Sequence, residues 1–419
     1  MEKFHTGRAL LALVAVAFVA PACNEILGIR EGTLATSDGD GGASDGGASD
    51  GGASDGGASD GGAPDGGAPD SGMPTGKCPP YELPATCEAP YLSDDENCCV
   101  RGRSCQGGHC NAGRCEPVRI ASVGRRGLEN IAVDGDEVFW PGAYDVGVQT
   151  CRSDGGDLRA LPKGPNYQGN VAVRGGRVFS VEWNGPFLVS VPRDGSSAAV
   201  IVSEVPSGVG AGDGFAVDGE RAYWVMENPP SAWFVRIPLS GRAAPTPLAL
   251  DAGAGNVEPA SRPRGLAVDS QYVYWSDSGL NVIKRRALST LDQNLEPAEV
   301  FVEQTYPIAL ALDELRVYWL GNGSVLSRLK DRSAAAETLA WDQGSAKTLI
   351  VDDRYAYWPT FEWRLEDGGG GGAVRRTLKD GSGPVEDLAT GQDAPWGIAQ
   401  DCTAVYWPTD YGDIMKVAK

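Results

Sequence analysis

One element recurs through the last three hundred residues and leaves the chain little freedom of fold. A short apolar run ends in Asp, a tight turn follows, and a second run ends in an aromatic pair whose last ring lies six residues after that Asp. The copies are Ile131-Ala-Val-Asp134 with Phe139-Trp140, Phe215-Ala-Val-Asp218 with Tyr223-Trp224, and Leu266-Ala-Val-Asp269 with Tyr274-Trp275. They continue as Leu310-Ala-Leu-Asp313 with Tyr318-Trp319, Leu349-Ile-Val-Asp352 with Tyr357-Trp358, and Ile398-Ala-Gln-Asp401 with Tyr406-Trp407. A degenerate copy, Val171-Ala-Val-Arg174 with Phe179-Ser180, fills the second place.

The copies recur about every 40 to 50 residues, the length of one blade of a β-propeller. Two more strands follow most aromatic pairs, split by turns such as Arg193-Asp194-Gly195 and Lys379-Asp380-Gly381. Helical periodicity is scarce, so the chain reads as all-β. Seven units predict a seven-bladed β-propeller over residues 117–419. The last unit has strands near Gly397, Tyr406 and Met415 and then stops, while residues 118–123 form an unassigned strand before the first unit. That strand is expected to complete the last blade and remove an open edge. The unit resembles the YWTD repeat of low-density-lipoprotein-receptor class B type propellers, best in Gly265-Leu-Ala-Val-Asp269 through Tyr274-Trp-Ser-Asp277. The resemblance covers residues 127–419 and implies six blades, so the expected number is six to seven. The Thr-Asp that follows Tyr-Trp in that family is mostly missing, and the resemblance implies an architecture and no ligand.

The amino terminus bears on the compartment. Lys3 and Arg8 precede an apolar run over residues 9–20, too short to span a bilayer and suited to a secretory signal, residues 1–22. Ala20-Pro21-Ala22-Cys23 resembles a bacterial lipobox, which implies a lipidated Cys23 and a membrane-anchored lipoprotein of the outer membrane or cell surface. A soluble secreted protein cleaved at the same bond is the alternative. Residues 36–75, within a linker over 23–77, repeat Gly-Gly-Ala-Ser-Asp and drift to Gly-Gly-Ala-Pro-Asp. Without aromatic residues and with almost no aliphatic ones, such a stretch cannot repay the entropy of ordering and reads as a disordered tether. About 40 flexible residues span roughly 35 Å.

Seven cysteines then crowd residues 78–116: Cys78, Cys87, Cys98, Cys99, Cys105, Cys110 and Cys115. Behind an export signal, that density predicts a small disulfide module in place of a core. Zinc is the rival, but no C-x₂-C pair is present. Seven is odd, so one thiol pairs outside the module or stays free. The outside partner would be Cys151 or Cys402; these two fall in neighbouring blades, and a bond between them is the alternative.

The chemistry is sparse. The chain has two histidines, His5 and His109, and none in the propeller. That excludes Ser-His-Asp hydrolysis and histidine-assisted lyase chemistry there. No nucleophile elbow or phosphate loop is present either. With 36 Lys+Arg against 56 Asp+Glu the net charge is −20, which speaks against nucleic acid as a partner. Asp134, Asp218, Asp269, Asp313, Asp352 and Asp401 would ring one mouth of the channel. Each either caps its own turn or joins a crown of carboxylates for calcium. No cofactor is required. The Tyr-Trp pairs read as packing between blades. Aromatics outside that register, Tyr144, Trp183, Trp233, Phe361, Trp363 and Tyr411, read as loop residues of a binding face. Acidic Asp145, Glu182, Glu227, Asp277, Glu362 and Asp410 are expected beside them. Two functions follow: a monomeric, membrane-tethered extracytoplasmic protein that captures a protein, peptide or glycan, or a metal-dependent enzyme acting on a lactone or sugar through the channel carboxylates.

Overall fold

The computed structural model describes residue 84 and residues 86–124, 128, 130–142, 146–165, 168–182, 187–204, 214–228, 231–239, 246–249, 261–293, 298–363 and 370–419. These belong to one compact unit, Ala63–Lys419. The signal, Cys23, the tether and Cys78 lie outside the described residues.

Among the described residues seven four-stranded antiparallel sheets form, six of them simple meanders. The first runs from Ala132–Asp134 to Arg159–Ala160, the second from Gln168–Arg174 to Val200–Glu204, and the third from Phe215–Val217 to Thr246–Ala249. The fourth runs from Pro263–Val268 to Glu299–Glu303, the fifth from Pro307–Leu312 to Glu337–Ala340, and the sixth from Ile350–Val351 to Glu386–Thr390. Blade seven joins Ala399–Gln400, Ala404–Pro408 and Asp413–Ala418 to the early strand Val118–Ser122. That strand pairs Val118 with Lys416 and Ser122 with Asp413, so the two ends of the propeller share one blade, as expected. The six blades that the family resemblance implies become seven here. The described helices are two 3₁₀ turns, Ala89–Tyr91 and Leu288–Gln293. None among the described residues is long and apolar enough to cross a membrane.

The aromatic dipeptide follows from strand geometry. Successive side chains point to opposite faces of a sheet, so each pair sends one ring into each neighbouring blade. Tyr223 shares a core cluster with Trp275 of the next blade, Tyr274 with Trp319, Tyr318 with Trp358, and Tyr357 with Trp407. Tyr406 meets Trp140 across the closing seam, and Phe179 meets Trp224. Each of these rings is at most 3% exposed. A buried aromatic removes roughly 200 Å² from water, a gross gain of ~5 kcal/mol at about 25 cal/mol per Å².

Blade two shows what the degenerate copy costs. Ser180 stands where the tryptophan belongs, and its buried hydroxyl has no partner. Phe139 therefore meets blade two through the aliphatic Val171, Val173, Val178 and Val191 rather than a tryptophan. Charge supplements that seam: Arg193 of blade two reaches Asp134 (2.8 Å), Asp136 (3.2 Å) and Glu137 (2.5 Å) of blade one.

Glycines let first strands approach near the axis. A Cβ on Gly214 would stand 2.7 Å from the Arg264 carbonyl of blade four, and one on Gly265 would stand 2.3 Å from the Ile308 carbonyl of blade five. Side chains there would push neighbouring blades apart.

Among the described residues the cysteine module forms three disulfides, Cys87–Cys99, Cys98–Cys110 and Cys105–Cys115, around a two-stranded hairpin. Its sulfurs share a core cluster with Tyr357, Val405 and Trp407 of blades six and seven. Arg103, 6% exposed, donates to the Lys419 carbonyl (3.1 Å) and to the Gly113 carbonyl within the module (3.2 Å). Three sulfurs, of Cys98, Cys105 and Cys115, lie within 4.8 Å of one another, but all three are spent in disulfides and offer zinc no thiolate.

The alternative Cys151–Cys402 bond does not form. Cys402 is disulfide-bonded, but not to Cys151, which is a free, buried thiol. Their blades are neighbours, but their depths differ. Cys151 lies opposite Val138 in the third strand of blade one, in the core against Ala399, Ala404, Tyr406 and Ile414. Cys402 sits in the turn between the first two strands of blade seven. Burial, and then the charge of Asp154, push the Cys151 thiol up to about 11.

Candidate functional site

Chain direction sorts the loops onto two faces. In a four-stranded meander the first and third turns share one face, and the second turn shares the other with the connection to the next blade. These are the turn face and the connection face.

The aspartates occupy the turn face, and both oxygens are engaged in Asp218, Asp269, Asp313, Asp352 and Asp401. Asp313 Oδ1 accepts the backbone N–H groups of Leu315 (2.8 Å) and Arg316 (2.7 Å), closing its own turn. The same pair of bonds recurs at Asp218, Asp269, Asp352 and Asp401. The second oxygen accepts the hydroxyl of the blade's own tyrosine: Tyr223 on Asp218, Tyr318 on Asp313, Tyr357 on Asp352 and Tyr406 on Asp401, at 2.6–2.7 Å. At four of the aspartates a cation from the next blade reaches Oδ2. Lys330 reaches Asp269 (2.8 Å), Lys379 reaches Asp313 (2.8 Å), Lys419 reaches Asp352 (3.0 Å), and Arg193 reaches Asp134 (2.8 Å). Asp313 and Asp352 therefore each close a turn, anchor the tyrosine that packs on the next blade, and hold that blade by charge; the other four do one or two of these. Among the described residues no three carboxylates offer oxygens within reach of one ion. The geometry is that of turn caps extended into latches between blades.

The latch has an electrostatic signature. Burial alone would raise the Asp313 carboxyl, but the Lys379 ammonium and the Tyr318 hydroxyl outweigh it and hold the group below the usual carboxylate range. Asp352 is likewise held low against burial, by the Lys419 charge and two backbone N–H groups. A carboxyl depressed in the fold contributes stability above its unfolded pKa of about 3.9 and loses it as pH falls through the lower folded value. Lys379→Met is expected to cost about 1–2 kcal/mol at pH 7, since both partners are partly buried and the tyrosine and turn bonds remain. The gap from wild type should narrow below about pH 4. Denaturant midpoints at pH 7 and pH 3.5 measure both. A gap that does not depend on pH would show the latch to be inert.

On the connection face the structure corrects the loop reading of the aromatics. The second hairpins of blades three and six, Arg221–Asn228 with Ser231–Pro238 and Tyr355–Trp363 with Gly370–Leu378, run longer than those of the other blades. Trp233 pairs with Met226, Phe361 with Gly372 and Trp363 with Gly370 inside these ladders rather than in loops. The side chains of Trp233 and Trp363, and all of Tyr144 and Trp183, lie outside the described residues. So do Asp145 and the side chains of Glu182, Glu227 and Glu362. Tyr411 stands in the second turn of blade seven, 42% exposed, beside Asp410. Asp277 is fully buried, not displayed: it accepts from the Ser261 hydroxyl and from the backbone N–H groups of Arg262, Gly279 and Leu280.

Three residues that the sequence reading passed over complete this face. Tyr306 and Trp341, 52% and 70% exposed, sit in the connections entering blades five and six. Trp396, in the connection entering blade seven, stacks on Phe361 with ring centroids 4.5 Å apart, and Lys347 Nζ lies 3.6 Å over its ring. With Tyr411, they place every well-exposed aromatic ring among the described residues on the connection face. Their sequence signal was position: each falls outside the Tyr-Trp register, in the connection before a blade's first strand.

No protein-family model and no curated protein matches the sequence. Solved structures do match. A streptogramin B lyase aligns at a TM-score of 0.53 and 11% identity, over 72% of this chain and 96% of its own. Virginiamycin B lyase from Staphylococcus aureus aligns at 0.52 and 12%, over 73% of this chain and 98% of its own. The likeness is one of fold. The chain folds as a β-propeller.

Proposed function

We propose that this is a lipid-anchored, extracytoplasmic binding protein. Cys23 carries the anchor, the Gly/Ala/Ser/Asp repeat is the tether, and the connection face captures a protein, peptide or glycan at the outer membrane or cell surface. The observation that carries the reading is the segregation of exposed aromatics: Tyr306, Trp341 and Tyr411 on one face, against an opposite face whose carboxylates are engaged in latches. Large amphipathic rings displayed over a rigid scaffold are the usual anchors of recognition. Catalysis draws less support. A histidine-to-alanine variant of the S. aureus lyase is described as catalytically inactive, and this propeller has no histidine. The enzyme alternative relied on channel carboxylates whose oxygens are already occupied by their own turns and neighbours.

A photo-crosslinking side chain placed at Tyr411 or at Leu315 tests the face in intact cells. Leu315 is 69% exposed in the first turn of blade five, on the opposite face. Adducts are expected from position 411 and not from 315, and equal labelling from both would remove the face from consideration. In the same cells Cys23→Ser should release the protein from the membrane fraction.

A further inference from the structure

We infer that Cys402 is bonded to Cys78, and that this bond staples the residues before the cysteine module to blade seven. The first ground is a count. The chain has ten cysteines. Six close the three module bonds, Cys151 is free, and Cys402 is disulfide-bonded. Within one chain, Cys23 and Cys78 are the partners that remain.

Position separates the two. The turn that carries Cys402 lies beside the module. Lys419 donates its N–H to the Thr403 carbonyl (3.0 Å), and its own carbonyl accepts from Arg103 Nε (3.1 Å). Arg103 also donates to the Gly113 carbonyl (3.2 Å), and Cys87 Sγ lies 3.8 Å from that oxygen. A continuous run of contacts therefore leads from the turn of Cys402 to Cys87. The turn itself is fixed, because Asp401 Oδ1 accepts the N–H groups of Thr403 and Ala404 (both 2.7 Å). Cys78 stands nine residues before Cys87, a reach of at most about 30 Å. Cys23 stands sixty-four before it. The chance that two chain positions meet falls with roughly the 3/2 power of their separation, so length alone favours Cys78 about twentyfold.

The bond forms by thiol–disulfide exchange. The Cys78 and Cys402 thiols give up two protons and two electrons. An oxidised dithiol carrier outside the cytoplasm takes both and leaves as the dithiol. Cys151 does not compete. Exchange needs a thiolate, and that thiol is fully buried and pushed up to about 11. The loop so closed contains the whole ring, and long loops constrain the unfolded chain most. The staple thus reinforces covalently what the Val118–Ser122 strand does by hydrogen bonding in the same blade. It also settles the odd count. With Cys23 in lipid, eight of the other nine cysteines are paired, and the ninth is Cys151, sealed in a seam. That last step rests on the proposed anchor; the bond does not.

Alkylation of the full-length protein, denatured without reduction and mapped by mass spectrometry, tests the bond. In wild type the tryptic peptide carrying Cys402 should stay joined to the one that begins at Cys78, with Cys151 labelled and Cys402 not. Cys78→Ser should gain a stoichiometric label at Cys402, and Cys402→Ser should gain one at Cys78. Cys23→Ser should leave Cys402 protected. Circular dichroism checks that the variants stay folded, and the wild-type linkage needs no variant. A label at Cys402 in wild type overturns the bond. Protection of Cys402 that is lost in Cys23→Ser and kept in Cys78→Ser overturns it in favour of Cys23, and removes the lipid anchor as well. If Cys23→Ser stays in the membrane fraction while the Cys402 peptide stays joined to Cys78, the anchor falls and the bond stands.

Discussion

Trp319→Ala is expected to destabilise the propeller by about 3–5 kcal/mol, the cost of emptying a fully buried aromatic site. The indole is 0% exposed and packs across the blade four–five seam against Ala267, Tyr274, Ile283 and Phe301. Its removal also strands the Gln304 acceptor (3.1 Å). Guanidinium unfolding followed by circular dichroism measures the loss. Ser180→Ala, at the corresponding place in blade two, is the internal contrast. It removes a buried hydroxyl that has no partner, so stability should hold or rise slightly. A loss below about 1 kcal/mol in the tryptophan variant would mean that the rings are not what holds neighbouring blades together.

The second large effect is alkaline unfolding. Burial, followed by the charge of Asp269, pushes the Tyr274 hydroxyl up to about 12. Burial and a hydrogen-bonded or neighbouring aspartate also push Tyr223, Tyr318, Tyr357 and Tyr406 upward. A phenol whose pKa rises on folding contributes stability fully present below its unfolded value of about 10 and lost as pH rises through the folded value. Because five such phenols sit in five blade seams, the losses should add, and the ring should open cooperatively above about pH 10. Tyrosinate absorbance and loss of native tryptophan fluorescence should then rise together in one sharp transition. Gradual ionisation with fluorescence unchanged would show that these hydroxyls are reached by solvent in the native ring.

Much of this was open to a reader of the sequence alone, and the reason is locality. The alternation that turns Tyr318 to one neighbour and Trp319 to the other, the Asp313 turn three residues before its Arg316 donor, and the incomplete last unit are all short-range facts. A repeated unit that cannot bury itself has to stack on its own copies. Even the latch was partly legible: Lys379 and Arg193 each precede the Asp-Gly of a third turn. The sequence does not say that these cations leave their own blade for a carboxylate 66 and 59 residues earlier.

Depth and exposure belonged to the tertiary structure. Cys151 and Cys402 sit in adjoining blades, as their positions in the repeat require, yet only packing buries one in the seam and leaves the other in a turn. Asp277 and Asp410 look alike as loop acids, but the first is consumed by four donors. Trp341 and Trp358 are the same residue type seventeen positions apart. One is displayed and the other sealed because the first sits in the connection entering blade six and the second in that blade's second strand, between neighbouring blades. Strand period and turn chemistry act over a few residues and so are written in the chain. Which ring meets water depends on neighbours brought together from forty or more residues away.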